Sequence, residues 1–415
     1  MKTRALTVAA LAVSATSAHA AGLDRSNQSV LPIFNDDKTL SFSIAHVNPS
    51  VTGTDAQGAD YDAGESYEQV TLSYTRDIND KFTLGFIFDQ PYGADVFYNG
   101  DPTTTNLGGT GADLSSEAYT LVGKYRFNDR VSVFGGIKAQ SVRATVNLNG
   151  DSYASAISTS AVAGAAGVDA TTLGAALLGD PTAIAALGGL ATVGALGAQV
   201  TAQISQFEAD NGYSFAMGSE TEFGWLVGAA YEIPDIALRL AVTYHAEIDY
   251  TGNTNEVILG NAVASSTNFV TPEAVNIDFQ TGIAADTLLI ASYRWTAFED
   301  VDLVPTALGS DLVNLDNGQR FTLGVGRRFN ENLSGTVVLS YEPTGDDDLV
   351  SPLGPTDGLY GISVGGRYEK DNLTVSGGIN YSWLGDARPE VGGQPVASFD
   401  DNSSVAVGLN IQWTF

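Results

Sequence analysis

The chain has 415 residues, of which 44% are hydrophobic and 16% are charged, and its formal net charge is −29. An acidic balance of this size argues against nucleic acid as a partner, because the phosphates would be repelled. The sequence contains no cysteine, so an exported fold would have to close through hydrogen bonding and packing alone.

The first twenty residues have the pattern of a secretory signal peptide. Lys2 and Arg4 precede an apolar stretch over residues 6–15, and residues 18–20 (Ala-His-Ala) form a cleavage site of the A-x-A type. The apolar stretch is too short to cross a bilayer as a helix. We therefore predict that the chain is exported and that residues 1–20 are removed as a signal peptide.

From residue 38 to residue 415, apolar residues recur at every second position in segments of roughly nine to twelve residues. Phe82, Leu84 and Phe86 show this alternation, and we count fourteen such segments. No run of about twenty apolar residues follows the signal peptide, so spanning helices are not predicted. The alternation predicts transmembrane β-strands that place one face in lipid and the other in a lumen.

The connections between these segments alternate in length. Links after the even-numbered strands are short, for example at Asn79-Asp80, Asn128-Asp129 and Pro234-Asp235, whereas links after the odd-numbered strands are predicted to be long. Short periplasmic turns and long outer loops are typical of bacterial outer-membrane barrels. An open sheet edge in lipid would leave backbone donors unpaired, so the sheet must close. We predict an all-β, 14-stranded antiparallel transmembrane barrel over residues 38–415, in the bacterial outer membrane.

One segment interrupts the alternation. Residues 146–214 are predicted to be a long extracellular loop, Ala/Gly-rich over 151–210, with short helices over 173–178 and 183–187 on either side of Gly179-Asp180-Pro181. Long loops with their own structure usually have a function. Exposed leucines at the barrel mouth would suit an apolar ligand, and a merely packed lid is the alternative. The acidic clusters between strands predict a solvated outer surface rather than a metal site.

The predicted lumen face mixes polar and apolar side chains. A water-filled pore would hydrate its large apolar side chains and forgo about 1.5–3 kcal/mol for each. An internal plug or an apolar substrate would remove that penalty. Basic residues higher on the lumen face could pair with luminal acids, or could hold the carboxylate of an aliphatic ligand in an apolar tunnel. The predicted ligand-binding residues are Lys138, Arg239, Arg294, Arg320, Phe134, Leu226 and Ile290.

The third strand ends unusually, at Asp89-Gln90-Pro91-Tyr92-Gly93. Proline cannot donate to a neighbouring strand, and glycine permits a sharp bend. This pattern marks either the simple end of the strand or a gap in the barrel wall. Through such a gap, centred on Pro91 and Gly93, an apolar molecule could leave sideways into lipid.

Three stretches resemble one family. Residues 89–96, residues 40–53, and residues 271–286 leading to Arg294-Trp295 are similar to segments of the FadL-type outer-membrane transporters of long-chain fatty acids and hydrocarbons. The resemblance implies an N-terminal hatch inside the barrel, ligand capture at the outer loops and lateral release at the third strand. Only residues 21–37 precede the first strand, so this hatch would be shorter than the family's few dozen residues, and it lacks the family's Asn-Pro-Ala motif.

The predicted function is uptake of long-chain fatty acids or other hydrophobic small molecules across the outer membrane. We expect no cofactor and no bound metal. The expected partners are a hydrophobic ligand, outer-membrane lipid and the barrel-assembly machinery, which would recognise the C-terminal Phe415. We expect a monomer, because the lipid face shows no polar patch.

Three other functions stay open from the sequence. A general diffusion porin for small polar solutes is the main alternative, and an adhesin or structural barrel is another. An enzyme would need a base such as His245, near Glu247 and Asp249, together with a nucleophile. No nucleophile can be paired with His245 from the sequence, so we predict no enzymatic activity and no catalytic residue.

Overall fold

The computed structural model describes residues 23–313, 315–345 and 349–415, so the predicted signal peptide lies outside the described residues. Fourteen antiparallel strands form one closed barrel, which confirms the predicted fold class. The strands are β1 Thr39–Ser50, β2 Tyr67–Asp77, β3a Phe82–Asp89, β3b Gly93–Phe97, β4 Gly111–Arg126, β5 Val131–Leu148, β6 Tyr213–Ile233, β7a Leu238–His245, β7b Ile248–Ile258, β8a Asn261–Thr271, β8b Ala274–Ala284, β9 Thr287–Thr296, β10 Gly318–Arg328, β11 Leu333–Glu342, β12 Leu359–Lys370, β13 Leu373–Leu384 and β14 Ser403–Thr414.

The barrel closes between its first and last strands. β1 pairs with β14 from Thr39 opposite Thr414 to Ser50 opposite Ser403. Along the membrane-spanning parts of the strands, large apolar side chains such as Ile137 point outward and are exposed, while the alternate positions face the lumen. The outer wall is therefore an apolar band, as contact with lipid requires.

The link between the seventh and eighth strands is shorter than predicted. The two strands are broken at residues 246–247 and 272–273, and their upper halves, β7b and β8a, pair along their whole length up to a two-residue turn at Leu259-Gly260. The prediction of a long loop here is wrong. Four of the five outward positions of β7b, all but Val257, are polar, as expected of a strand that stands above the lipid, so the apolar alternation that marks a membrane strand is missing.

Four helices form the long loop between β5 and β6: α1 Asp151–Ala166, α2 Ala170–Leu177, α3 Pro181–Ala186 and α4 Leu190–Ala209. Asp180 begins α3 by accepting the backbone N–H groups of Thr182 and Ala183, both at 2.8 Å. Among the described residues no single helix is long and apolar enough to cross a membrane, and α1 with α2 reaches that length only as a pair bent by 116°. The helices instead pack on one another around Leu173 and Val200.

The N-terminal segment, residues 23–37, lies inside the barrel. A 3₁₀ helix at Leu31–Phe34 places Ile33, which is fully buried, against Val122 and Phe134 of the lumen wall. The hydroxyl of Thr75 donates to the carbonyl of Pro32 at 2.6 Å. The lumen is therefore filled at this level by the chain's own N-terminal segment.

Candidate functional site

The barrel wall is interrupted at the third strand. β2 pairs with β3a only as far as Leu72, opposite Phe88, whereas β3b pairs with β4 and not with β2. Next to this break, the backbone N–H of Val70 donates at 2.8 Å to the side-chain oxygen of Gln90 instead of to a strand carbonyl. A side chain thus takes the place of a missing strand partner, and the sheet is open between the upper half of β2 and residues 90–94. Above this opening the backbone of residues 63–65 pairs with β3b, where the N–H of Glu65 donates to the carbonyl of Asp95 at 3.2 Å.

On the lumen side, the N-terminal segment covers this break. The N–H of Arg25 donates to the carbonyl of Pro91 at 2.8 Å, and the N–H of Gly93 donates to the carbonyl of Leu23 at 2.9 Å. These bonds satisfy backbone groups that the interrupted ladder leaves free. The N-terminal segment therefore replaces the missing part of the wall from inside.

The side chain of Arg25 lies in the opening itself. Its guanidinium pairs with Asp95 and stacks over the ring of Tyr67, 3.8 Å from the ring centroid. A Cβ added at Gly93 would collide with this guanidinium, so the absence of a side chain at Gly93 leaves the room that Arg25 occupies. The wall opening is closed in this structure by one charged side chain that is held by one acid and one ring.

Three cavities lead from the outer surface to this opening. The outer groove, of about 550 Å³, lies between α1 and the loops that follow β9, β11 and β13. The inner cavity, of about 50 Å³, lies deeper, between Leu23 of the N-terminal segment and Leu114 of β4. The wall cavity, of about 30 Å³, lies at the break beside Arg25 and Gly93. The outer groove alone has the size of a typical small-molecule site.

Neighbouring cavities share lining residues. Ser351, Leu353 and Leu312 line both the outer groove and the inner cavity, and Leu353 and Ala94 line both the inner cavity and the wall cavity. The three cavities therefore form a series that is separated only by a few side chains. The inner cavity is lined almost wholly by Leu, Val and Ala, with no charged residue among its described neighbours.

The outer groove has a mixed lining, in which Tyr153 of α1 and three serines supply polar groups among apolar side chains. Burial raises the pKa of the Tyr153 hydroxyl, so this group stays neutral at physiological pH. The acids Asp311 and Glu390 also line the groove, and no lysine, arginine or histidine does so among the described residues. The groove thus offers no positive charge to an anionic ligand.

The apolar residues predicted to bind ligand occupy different surroundings. Phe134 and Leu226 pack against Val30 and Ile33 of the N-terminal segment. Ile290 points toward the lumen, in the same phase as the buried Leu288, and approaches Gly324 of β10. At Phe134 and Leu226 the N-terminal segment removes the hydration penalty that an open pore would impose.

Two of the predicted cations are held by the N-terminal segment. Arg294, buried in the lumen, forms an ion pair with Asp24 and donates to Asn276 at 2.8 Å and to the carbonyl of Asn27 at 3.1 Å. Arg320 forms an ion pair with Glu342 and donates to the side chain of Asn27 at 3.2 Å. Both guanidinium groups thus have carboxylate partners within the protein.

The other two predicted cations also lie beside the N-terminal segment, Lys138 in a small cavity shared with residues 28–30 and Arg239 over the ring of Phe34. Lys138 is buried within the electrostatic reach of Asp89, beside the unpartnered imidazole of His245. Arg239 follows the periplasmic turn directly, donates to Gln280 at 3.0 Å and lies over the ring of Phe34. The interpretation that Arg239 sits high in the lumen with the others is wrong, because β7a begins at Leu238.

The cavity-lining leucines and Arg25 are not among the residues predicted from the sequence. Leu312 and Leu353 belong to loops without regular alternation, and nothing in their local sequence distinguishes them. Arg25 lies in the short segment before the first strand, and only its contact with the break at residues 91–93 gives it a role. These positions depend on chain segments that meet from distant parts of the sequence.

The apolar outer wall, the filled lumen and the wall break define an outer-membrane transport barrel. The chain belongs to the family described as outer membrane protein transport protein (OMPP1/FadL/TodX), whose model matches residues 3–415. This family transports hydrophobic compounds across the outer membrane, and its members are not enzymes. A search of curated proteins found no match.

Solved structures with the same fold show low sequence identity to this chain. A Pseudomonas aeruginosa FadL homologue matches with a TM-score of 0.66 and 16% identity, covering 92% of each chain. The Pseudomonas putida toluene transporter TodX matches with a TM-score of 0.61 and 13% identity, covering 96% of this chain and 98% of its own. The Ralstonia pickettii toluene transporter TbuX matches with a TM-score of 0.58 and 14% identity, over 96% and 92%.

Proposed function

We propose that this transporter captures a hydrophobic small molecule in the outer groove, passes it through the inner cavity and releases it sideways at the third-strand break. The observation that carries the proposal is the series of cavities, which share Leu353 from the outer groove to the wall break. Lateral release spares an apolar molecule the passage through periplasmic water, since the lipid of the membrane adjoins the opening.

Among hydrophobic cargoes, the lining favours an uncharged hydrocarbon over a fatty acid. The cations Arg25, Arg294 and Arg320 are paired with carboxylates of the protein. Among the described residues that line the inner cavity, none is a cation. A fatty-acid carboxylate would lose its hydration there without gaining a counter-charge, which is unfavourable. An alkane or an alkylated aromatic compound loses no such interaction.

A matched pair of cargoes tests this proposal. Labelled hexadecane and labelled palmitate have the same chain length and differ in the carboxylate. In cells that lack their own transporters and express this protein, we expect uptake of hexadecane to exceed that of palmitate. Greater uptake of palmitate would contradict the uncharged cargo, and failure to take up either would contradict the proposed function itself.

Substitutions at Pro91 and Gly93 that close the third-strand break are expected to suppress lateral release of the cargo. In the double variant Pro91→Val and Gly93→Val, residue 91 gains a backbone donor, and the valine at residue 93 takes the space in the opening that the Arg25 guanidinium now fills, so a short side chain that cannot swing away blocks the exit. We expect hexadecane uptake to fall by about tenfold or more, the size of effect that one or two added methylene groups have in a close-fitting apolar site. The measurement is initial uptake rate normalised to the amount of folded barrel.

The control for that variant carries the same types of change elsewhere. Pro395→Val lies in an outer loop, and Gly366→Val lies where an added Cβ meets nothing within 4 Å. This control should keep its uptake. Unchanged uptake in the Pro91/Gly93 variant would contradict lateral release while leaving transport intact.

We also propose that the C-terminal strand carries the recognition signal for barrel assembly and that the protein acts as a monomer. The exposed ring of Phe415 stacks on Trp413, with centroids 5.6 Å apart, at the end of β14. Deleting Phe415 should lower the amount of folded barrel in the outer membrane, as measured by heat-modifiable migration of membrane fractions. An undiminished amount in the deletion variant would remove this role from Phe415.

A further inference from the structure

The outer groove, the inner cavity and the wall cavity meet at one side chain. Leu353, in the loop between β11 and β12, lines all three cavities. Leu312, in the loop between β9 and β10, lines the outer groove and the inner cavity only. The inner and wall cavities, of about 50 and 30 Å³, are far smaller than the outer groove of about 550 Å³. A cargo molecule can therefore advance only if the side chains between the cavities move.

The backbone around Leu353 is firmly held. The N–H of Gly354 donates to the carbonyl of Ser351 at 3.0 Å, and the N–H of Leu353 donates to the hydroxyl of Ser351 at 3.2 Å. The hydroxyl of Tyr98, which is fully buried, donates to the carbonyl of Pro352 at 2.7 Å. Burial also raises the pKa of Tyr98 well above its ordinary value, so this donor keeps its proton.

The loop that carries Leu312 is held in a similar way. The N–H of Leu312 donates to the carbonyl of Leu303 at 3.0 Å, which closes a ten-residue loop, residues 303–312. At the tip of this loop, the N–H groups of Ala307 and Leu308 donate to the buried carboxylate of Glu256 at 3.1 Å. The backbone of both Leu353 and Leu312, the two leucines between the cavities, is therefore anchored by hydrogen bonds.

The side chain of Leu353 is only half-buried, in contrast to its anchored backbone. It borders each of the three cavities and otherwise packs against the buried cluster that includes Leu303 and Leu312, so rotation about its side-chain bonds can move it into neighbouring space without backbone movement. Rotation of this one side chain would change the connection between the outer groove and the inner cavity and the connection between the inner and wall cavities together. Leu312 can affect the first connection alone.

We propose that Leu353 is the residue that sets the width of molecule this transporter accepts. The inference rests on the proposed function, because it assigns Leu353 a role in the path from the outer groove to the wall break. A slender linear hydrocarbon passes when the leucine rotates, whereas a wide, rigid one is held in the outer groove. The size of side chain 353 therefore determines the ratio between the uptake of wide and slender cargoes.

The test compares the uptake of two uncharged probes, slender hexadecane and wide, flat pyrene. Leu353→Ala should raise the ratio of pyrene to hexadecane uptake by about tenfold, the discrimination that a few methylene groups provide. Leu353→Trp should lower the uptake of both probes, and pyrene should still bind in the outer groove, as read by its fluorescence. A ratio of two probes in the same cells does not depend on how much of the variant folds.

Leu187→Ala is the matched control, since Leu187 is a half-buried leucine of the outer helical loop that lines none of the three cavities. It should leave the ratio unchanged. An unchanged ratio in Leu353→Ala, with hexadecane uptake by the unaltered protein intact, would overturn the role of Leu353. If the unaltered protein takes up neither probe, the proposed function fails instead, and with it the basis for the inference.

Discussion

Deleting residues 23–36 is expected to convert this barrel into a steady ion-conducting pore. The N-terminal segment fills the lumen through Val30 and Ile33, which pack on Ile87, Phe134 and Leu226. Without it, a 14-stranded barrel would keep a water-filled interior lined in part by charged groups. The measurement is single-channel conductance in planar bilayers, comparing the deletion variant with the intact mature chain.

A control deletion separates loss of the plug from general loosening of the barrel. Replacing residues 168–189, which cover α2 and α3 of the outer loop, with a short Gly-Ser linker leaves the N-terminal segment in place. This variant should conduct as little as the intact protein. Equal, low conductance in all three proteins would show that residues 23–36 do not block the lumen.

The second large effect, detachment of the N-terminal segment from the barrel wall, is expected from Arg294→Met. This residue is 5% exposed and joins β9 to the N-terminal segment through Asp24, Asn27 and Gln28. Removing the guanidinium leaves the carboxylate of Asp24 buried without its partner, a loss of about 3–5 kcal/mol. Because this loss falls on the contact between wall and segment, the N-terminal segment should detach from the wall while the barrel stays folded.

The chain has no cysteine, so a single introduced thiol can report that detachment. Val30→Cys places the thiol at a position that is 4% exposed in the docked segment. Maleimide should label it slowly in the otherwise unaltered protein and rapidly when Arg294→Met is added. Equally slow labelling in both would show that the ion pair does not hold the segment.

Two further variants test whether the unpaired charge of Asp24 causes the faster labelling. Adding Asp24→Leu to Arg294→Met removes both charges, and replacement of a buried ion pair by apolar groups is often nearly neutral, so labelling should slow again. Arg328→Met breaks the ion pair of Arg328 with Asp286, in which both side chains are more than 40% exposed. Exposed pairs contribute about 0–1 kcal/mol, so this variant should label like the parent.

The sequence by itself determined the class of fold, and it marked Pro91 and Gly93 as the place where the third strand either ends or leaves a gap in the wall. A strand between lipid and lumen must alternate every second residue, and this requirement is local, so the strands can be counted without any knowledge of their contacts. Pro91 and Gly93 likewise act through their own backbone properties. The same reasoning failed at Ile248–Ile258, because a strand that stands above the lipid has no apolar outward face to show.

Only the tertiary structure decided how the lumen is filled and where a cargo can pass. The partner of Arg294 is Asp24, 270 positions earlier in the chain, and no spacing rule relates the two. Arg25 closes the wall because Leu23 and Arg25 pair with the backbone of residues 91–93. Leu353 borders three cavities because loops from separate strands converge above the lumen. Such contacts follow from the closure of the barrel, which brings distant segments together irrespective of their local patterns.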